Sequence, residues 1–149
     1  MKLNEIKSKS DFLTDPKEIE NWLHRYNIKG YTIHDDGTVD VHEGNHQGSS
    51  TGVNFTGYKL SKIAVKFGKV DGIFILQEHK QLKTLKGCPD IVTDMFCVYD
   101  CPLIDSLEFA PKKVRDMSIT KSKLTSYENV PELINVDNGS IAIYDTLTL

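Results

Sequence analysis

Two histidines in segment 42–46 have the spacing of metal ligands. His42 and His46 form a His-x-x-x-His pattern with Glu43 between them, which places both rings on one face only when the segment is helical. Glycines at positions 44 and 48 disfavour a helix here. We therefore interpret both histidines as surface residues of a loop and expect no metal site.

A pair of carboxylates, Asp35 and Asp36, has the composition of an acid–base site. The pair precedes Gly37 between two alternating apolar runs, and formation of a hairpin turn accounts for it fully. The segment Gly-Ser-Ser-Thr-Gly at 48–52 resembles a phosphate-binding loop in its glycines alone. It lacks the Gly-Lys-Ser/Thr ending and a preceding strand, so we interpret it as a linker.

The three cysteines are Cys88, Cys97 and Cys101. An odd number without a Cys-x-x-Cys pair matches neither a disulfide framework nor a zinc site. Cys97 could pair with Cys101, or either with Cys88, under oxidation; we favour three reduced thiols that pack as small residues. No nucleophile–base pair is singled out, so we expect no catalytic residue, no cofactor and no metal, and a protein that is not an enzyme.

The composition is that of one globular domain. The chain has 149 residues, of which 39% are hydrophobic and 26% charged, and a net charge of -3. No run of five Lys and Arg indicates a phosphate-binding face. The longest apolar run, 73–76, is too short to span a bilayer, and residues 1–7 lack the apolar stretch of a secretory signal. We expect a soluble protein of the cytosol.

The first 59 residues predict an arm, a cap and a loop. Residues 1–14 are a polar arm. Residues 15–42 are the cap: an amphipathic helix over 16–26 with Asp15 as N-cap, then a β-hairpin whose strands flank the turn at 35–37. Residues 43–59 are rich in Gly, Ser and Asn, and this composition predicts a mobile surface loop.

From residue 60 to 149 the sequence repeats itself. Leu85 and Leu107, Pro89 and Pro111, and Val92 and Val114 are each separated by 22 positions. An upstream unit keeps the same spacing, and a downstream unit continues at Leu124, Tyr127, Pro131 and Ile134 in a shifted register. A period of 20–29 residues with Leu-x-x-Leu is typical of leucine-rich repeats. We therefore predict an α/β fold: a helix and β-hairpin cap, then a short leucine-rich-repeat-like solenoid with one short parallel strand per turn.

The unit Leu-x-Ser-Leu-Glu-x-Ala-Pro-x-x-Val at 104–114 resembles repeats of small tailed-bacteriophage proteins, in which a unit reads Leu-Thr-Ser-Leu-Glu-Gly-Cys-Pro-x-x-Val-x-x-x-Phe-x-Cys. The segments 31–41 and 64–70 are similar to parts of the same proteins, and the resemblance covers 16–149. The array also resembles the Leu-Pro repeats of secreted bacterial effectors. Two features depart from the phage pattern: the second strand cysteine is replaced by Leu76, Val98 and Ile119, and the asparagine ladder is absent. The resemblance implies a phage protein of the bacterial cytoplasm and carries over no enzymatic residue.

Strand residues alternate between the core and the solvent. If Phe74, Phe96 and Met117 point inward, their neighbours form an exposed apolar and aromatic stripe, a composition favoured at interface cores. The predicted partner-binding residues are Ile75, Met95, Cys97, Tyr99, Ser118, Thr120 and Tyr144. The alternative, that irregular stacking or the N-terminal arm buries this stripe, weighs about equally.

Three functions remain as hypotheses. The first is a module that binds, and inhibits or modulates, a host defence or gene-expression protein. The second is an RNA-binding modulator of mRNA metabolism; nucleic acid is the less favoured partner, and its candidate contacts are Lys112, Lys113, Arg115, Lys121 and Lys123. The third is a self-associating structural module, a homodimer formed through the C-terminal strand edge at 141–144. No membrane partner is expected.

Overall fold

A computed structural model describes residues 11–48 and 50–144, and within them the chain forms one helix and one sheet. The helix α1 comprises Pro16–Arg25. The strands are β1 (Lys29–Ile33), β2 (Val39–Gly44), β3 (Gly52–Asn54), β4 (Phe67–Val70), β5 (Ile73–Gln77), β6 (Ile91–Tyr99), β7 (Lys113–Thr120), β8 (Glu132–Leu133) and β9 (Ser140–Tyr144). No helix in these ranges is long and apolar enough to cross a membrane.

Helix α1 closes one end of the sheet, as its pattern predicts. The Asp15 carboxylate accepts a hydrogen bond from the Glu18 amide at 3.1 Å, which satisfies one of the free N–H groups of the first turn. Trp22 on the buried face lies 5.9 Å from Phe55 and 6.2 Å from Phe67, measured between ring centroids. The helix thereby covers the first coil of the core.

The predicted β-hairpin is confirmed, and its second strand also begins the solenoid. Strands β1 and β2 pair antiparallel, with Ile33 opposite Val39. On its other side β2 pairs in parallel with β4, where Val39 lies opposite Phe67. Val39 and Val41 are fully buried. The cap and the array therefore share one continuous sheet.

Parallel strands stack coil upon coil, and each coil contributes two strand segments rather than the one we predicted. In the first row, Lys69, Ile91, Lys113 and Glu132 lie side by side. In the second row, Ile75, Cys97, Ser118 and Ala142 do so. A register shift between Val92 and Met95 separates the two rows within β6. The sequence pattern assigned the valine of each unit to a turn, whereas it occupies the first strand segment.

Part of segment 43–59, which we predicted to be a loop, belongs to the solenoid. Strand β3 pairs with β2 and β5, and Val53 and Phe55 are fully buried. Gly52 has a φ of +125°, and a Cβ atom at this position would lie 2.2 Å from the Ile73 carbonyl oxygen. Its glycine therefore permits close strand packing, whereas composition alone suggested flexibility.

The last coil departs from the predicted register by one residue. Leu133, not Ile134, lies opposite Val114, and Ile134 is 48% exposed. Tyr127, which we aligned with inward leucines, is 68% exposed. The coil is shorter than its predecessors, so a fixed spacing of 22 residues carries these side chains past the core.

The side chains that we predicted to point inward form the core. Phe74, Leu76, Phe96 and Val98 are fully buried, and Met117 and Ile119 are at most 1% exposed. The Phe74 and Phe96 rings stack at 6.0 Å across adjacent coils. Residues 1–10 of the predicted arm lie outside the described residues, but Leu13 donates its amide hydrogen to the Ala64 carbonyl at 2.9 Å and packs against this core.

Corners between coils repeat in geometry although not in residue type. Glu78, Asp100 and Lys121 follow the second strand of successive coils, and each has a φ between +55° and +60°. The Glu78 amide donates to the Tyr99 carbonyl at 2.8 Å, and the Asp100 amide donates to the Thr120 carbonyl at 2.9 Å. The next residue in each corner is buried: His79, Cys101 or Ser122.

Candidate functional site

The parallel register brings the predicted partner-binding residues onto one face of the sheet. Ile75, Cys97 and Ser118 are direct neighbours on three strands. Tyr99, Thr120 and Tyr144 are neighbours in the next row. Met95 lies beside Asp116 at the bend of the strands. The face that we inferred from alternation therefore exists as a contiguous surface.

Exposure along this face is uneven. Ile75, Met95, Cys97 and Ser118 are half-buried, as is Tyr99. Tyr144 is 54% exposed, whereas Thr120 is only 8% exposed. The prediction that Thr120 is a solvent-facing contact residue is wrong, because its small side chain lies between two tyrosines in the register.

This surface extends further towards the N-terminus than the repeat pattern indicated. Asn54 of β3 lies beside Ile75, and the Thr56 hydroxyl is 3.4 Å from the Gln77 side-chain oxygen. We call the two rows together the outer strip. Its residues carry no formal charge at neutral pH: Asn54, Ile75, Cys97, Ser118 and Ala142 in one row, and Thr56, Gln77, Tyr99, Thr120 and Tyr144 in the other. Sequence reasoning missed Asn54 and Thr56 because their segment was taken for a loop.

A cation borders the strip at Tyr99. The Lys121 ammonium lies 5.4 Å from the centroid of the Tyr99 ring and 3.4 Å from its hydroxyl. Lys121 is one of the left-handed corner residues, so the corner fixes the direction in which this side chain leaves the sheet. The contact holds the tyrosine ring in place at the edge of the strip.

A polar depression of about 740 Å³ lies at the N-terminal end of the outer strip. Asn54 and Thr56 belong to both. We call it the amide pocket, and its lining consists of Asn27, Lys29, Gly44, Asn45, His46, Gln47, Gly48, Asn54, Thr56 and Tyr58.

Two asparagines build the frame of the amide pocket. The Asn45 amide nitrogen donates to the carbonyls of Tyr26 at 2.7 Å and Asn54 at 3.0 Å, while its oxygen accepts from the Asn54 amide at 2.7 Å. Asn27 has a φ of +60°, a conformation that asparagine tolerates better than most residues. Its side-chain nitrogen donates to the Tyr58 hydroxyl at 2.9 Å.

The remaining histidines and carboxylates form separate pairs. His34 lies 2.7 Å from Asp40, and this hydrogen bond raises the pKa of His34. His42 lies 3.3 Å from Asp71. Asp36 accepts the Thr38 amide at 2.9 Å, which is the turn role that we predicted for it. Within 11–48 and 50–144, no group of three or more such side chains is arranged to hold a metal ion.

All three cysteines are free thiols in the structure. Burial raises the pKa of Cys88 well above its ordinary range and that of Cys101 to about 11. Cys97, on the outer strip, is half-buried, and burial raises its pKa too. Because the thiolate is the nucleophilic form, none of the three has the environment of a reactive cysteine.

Carboxylates accompany several of the basic residues considered for RNA binding. Arg115 lies 2.8 Å from Asp94 and 2.8 Å from Asp116. Lys112 is 4.0 Å from Asp90. Acidic neighbours of this kind reduce the attraction to a phosphate backbone.

The C-terminal coils carry the large exposed apolar side chains. Val130 and Ile134 are 42% and 48% exposed, and Val136 is 77% exposed. Ile141 and Ile143 of β9 pack against the core but are only half-buried, whereas Met117 and Ile119 beside them are at most 1% exposed. The core is thus less well covered here than at the helical end.

The fold and its surface define a solenoid-like sheet of parallel coils, closed at one end by a helix and a hairpin. No protein-family model matches the chain, and no match is found among curated proteins or solved structures.

Proposed function

We propose that this protein is a non-enzymatic protein–protein interaction module that binds its partner through the outer strip. The observation that carries the proposal is the register: it aligns Ile75, Cys97 and Ser118 beside Tyr99 on one uncharged surface. Low charge and aromatic residues characterise the cores of protein interfaces. Parallel neighbours and a packed core behind the strip keep it rigid, which lowers the entropy lost on binding.

The finer identity extends this proposal. The array is of the leucine-rich-repeat type, and the protein acts for a tailed bacteriophage in the bacterial cytoplasm. Its partner is a host protein of defence or gene expression, which it inhibits or modulates. The support is the repeated Leu-x-x-Leu unit with proline and valine at fixed offsets, together with the resemblance of 16–149 to phage repeats. Fold-level analogy of this kind indicates a class of role rather than a particular partner.

Replacement of one tyrosine on the strip tests the proposal. Tagged protein is incubated with lysate of a bacterial host, treated with nuclease, and the retained proteins are identified by mass spectrometry. Tyr99→Glu places a charge in the strip and should abolish capture of the dominant host protein. Tyr127→Glu, at a 68% exposed tyrosine in a turn of the last coil, is the matched control and should capture as the wild type does.

The outcomes separate the hypotheses. Equal capture by both variants, each folded by circular dichroism, would exclude the outer strip as the binding surface. Loss of all retained proteins after nuclease would instead favour the RNA-binding alternative, which also requires a salt-dependent oligonucleotide titration.

Self-association through the C-terminal end is a second candidate, favoured by the exposed apolar residues there. Among the described strands, β9 pairs on one side only, with β7, and its residues 140–144 include no charge and no proline. Charges and prolines are the features that usually protect a strand edge from pairing with another chain.

Light scattering coupled to size-exclusion chromatography tests this candidate. It predicts a mass that rises with concentration and becomes monomeric in Ile143→Lys, which turns a charge towards the interface. Thr84→Lys, in an exposed turn of an earlier coil, should leave the association unchanged. A monomer mass at every concentration would exclude self-association.

A further inference from the structure

We infer that the amide pocket binds a neutral, hydroxyl-rich ligand, a short oligosaccharide. This inference is independent of the outer-strip proposal. The pocket lies among residues of the cap, the 45–48 segment and the end of β3. Its volume of about 740 Å³ is within the range of roughly 300–1,000 Å³ typical of small-molecule sites.

The charge of the lining excludes several ligand classes. Lys29 is the single permanently charged residue among those that line the pocket, and no carboxylate is among them. A cationic ligand would have no counter-charge, and an anionic ligand would have one exposed ammonium group. No aliphatic side chain lines the pocket either, so an apolar ligand would gain little from burial. The lining suits a ligand that recognises hydrogen-bonding groups.

Several polar atoms of the lining have no bond within the described residues. The Asn27 nitrogen donates to the Tyr58 hydroxyl, which leaves the amide oxygen of Asn27 and the hydroxyl proton of Tyr58 available. The Asn54 oxygen accepts from the Thr56 amide at 2.8 Å, which leaves the Asn54 side-chain nitrogen available. Acceptors and donors thus alternate along the lining, and adjacent hydroxyls of a sugar, each both donor and acceptor, can bond to such a set.

His46 adds an independent observation. Its Nδ1 atom is buried and has no hydrogen-bond partner among the described residues, a situation that costs free energy in a folded protein. A ligand hydroxyl in the pocket can supply that partner. Because the His46 amide is fixed to the Gly52 carbonyl at 3.1 Å, the backbone of this residue is held in place before a ligand arrives.

A peptide fits this pocket less well than a sugar. Extended peptides are commonly bound by addition of a strand to a free sheet edge. Strand β3 is paired on both sides, with β2 and β5, so its main chain offers no such edge. Recognition must come from side chains, and Tyr58 supplies one aromatic ring against which the C–H face of a sugar ring can pack.

The test uses a glycan array probed with the intact tagged protein, followed by titration of the best trisaccharide, with chitotriose and maltotriose as reference probes. Chemical shifts of backbone amides report the location of binding. Asn27→Gly keeps the left-handed backbone and removes the amide, and should lower the affinity about tenfold. Asn129→Gly makes the same change at an asparagine with φ +69° outside the pocket lining, and should leave the affinity unchanged.

Binding of a saccharide with shifts confined to the pocket and lost in Asn27→Gly would support the inference. A glycan array without signal would overturn it. Equal affinity of the two glycine variants would overturn it too, because the sugar would then bind elsewhere. Binding of inorganic phosphate or of a polar peptide at the pocket, with no saccharide binding, would assign the pocket to another ligand class.

Discussion

Removal of one ammonium group should destabilise the stack of coils by about 2 kcal/mol. The Lys66 ammonium donates to the carbonyls of Phe67 and Cys88, each at 2.7 Å, and lies 3.1 Å from an Asp90 oxygen. Cys88 is in the following coil, so this side chain joins two coils. In Lys66→Met the alkyl stem is retained while both carbonyls lose a charged donor.

The magnitude follows from these contacts. A hydrogen bond to a charged group contributes about 1.5–3 kcal/mol when it is well buried. The Lys66 side chain is 32% exposed, so water replaces part of what is lost. The Asp90 carboxyl is 52% exposed, and an ion pair of this kind adds less than about 1 kcal/mol. We therefore expect a total loss of about 2 kcal/mol.

Equilibrium unfolding in urea measures the effect. With an m-value of roughly 2 kcal/mol/M, the midpoint of Lys66→Met should fall by about 1 M. Lys69→Met is the matched control, since Lys69 is 54% exposed and its nearest acid, Asp71, is 3.6 Å away; its midpoint should move by less than about 0.3 M. Equal midpoints for the two variants would refute the structural role of Lys66.

Three further predictions concern packing, pH and thiols. Gly52→Ala should cost several kcal/mol more than Gly57→Ala: both positions have positive φ, but a Cβ at 57 has no atom within 4 Å, whereas one at 52 meets the backbone of β5; thermal unfolding compares them. Burial lowers the pKa of His79 from 6.5. Below about pH 6.5 the unfolded chain therefore takes up a proton that the folded chain does not, and stability falls; a His79→Gln variant with the same pH dependence as the wild type would contradict this. Native protein should expose at most one thiol to a thiol reagent, that of Cys97, and all three after urea; rapid reaction of Cys97→Ser would contradict the burial of the other two.

The sequence predicted the elements whose signals are local. The helix at 16–26 and the hairpin at 31–41 each depend on a short apolar pattern beside a cap or a turn, and both are confirmed. Alternation in 73–76 and 96–98 assigned the inward side chains correctly. These assignments required only the known period of a strand and the position of the neighbouring repeat.

The errors have a common physical cause in long-range packing. Segment 52–54 has the composition of a loop, yet its glycine is required because β5 passes within 2.2 Å of where a Cβ would be. A contact between residues distant in sequence leaves no local periodicity. The amide pocket was missed for the same reason: Asn27 and Tyr58 come from segments 31 residues apart.

Left-handed positions in the turns show why the repeat is harder to detect in sequence than in structure. Gly87, Phe109 and Asn129 have φ values of +101°, +71° and +69° in successive coils. Each precedes a proline by two residues. Glycine adopts this conformation without strain, whereas a phenylalanine there is strained by about 1 kcal/mol or more. The Lys86 ammonium, 5.6 Å from the Phe109 centroid, offsets part of that strain.

The corners explain how coils stack without an asparagine ladder. An asparagine at each corner would satisfy free main-chain groups with the same side chain in every coil. Here the amides of Glu78 and Asp100 bond to the next coil's carbonyls, so the main chain supplies most of the ladder itself. His79 accepts the Leu60 amide at 3.1 Å, and Ser122 accepts the Leu124 amide at 3.3 Å. Because each corner needs only one buried polar group of suitable reach, imidazole and hydroxyl groups serve equally, and selection preserves the geometry of the corner while its residue type varies.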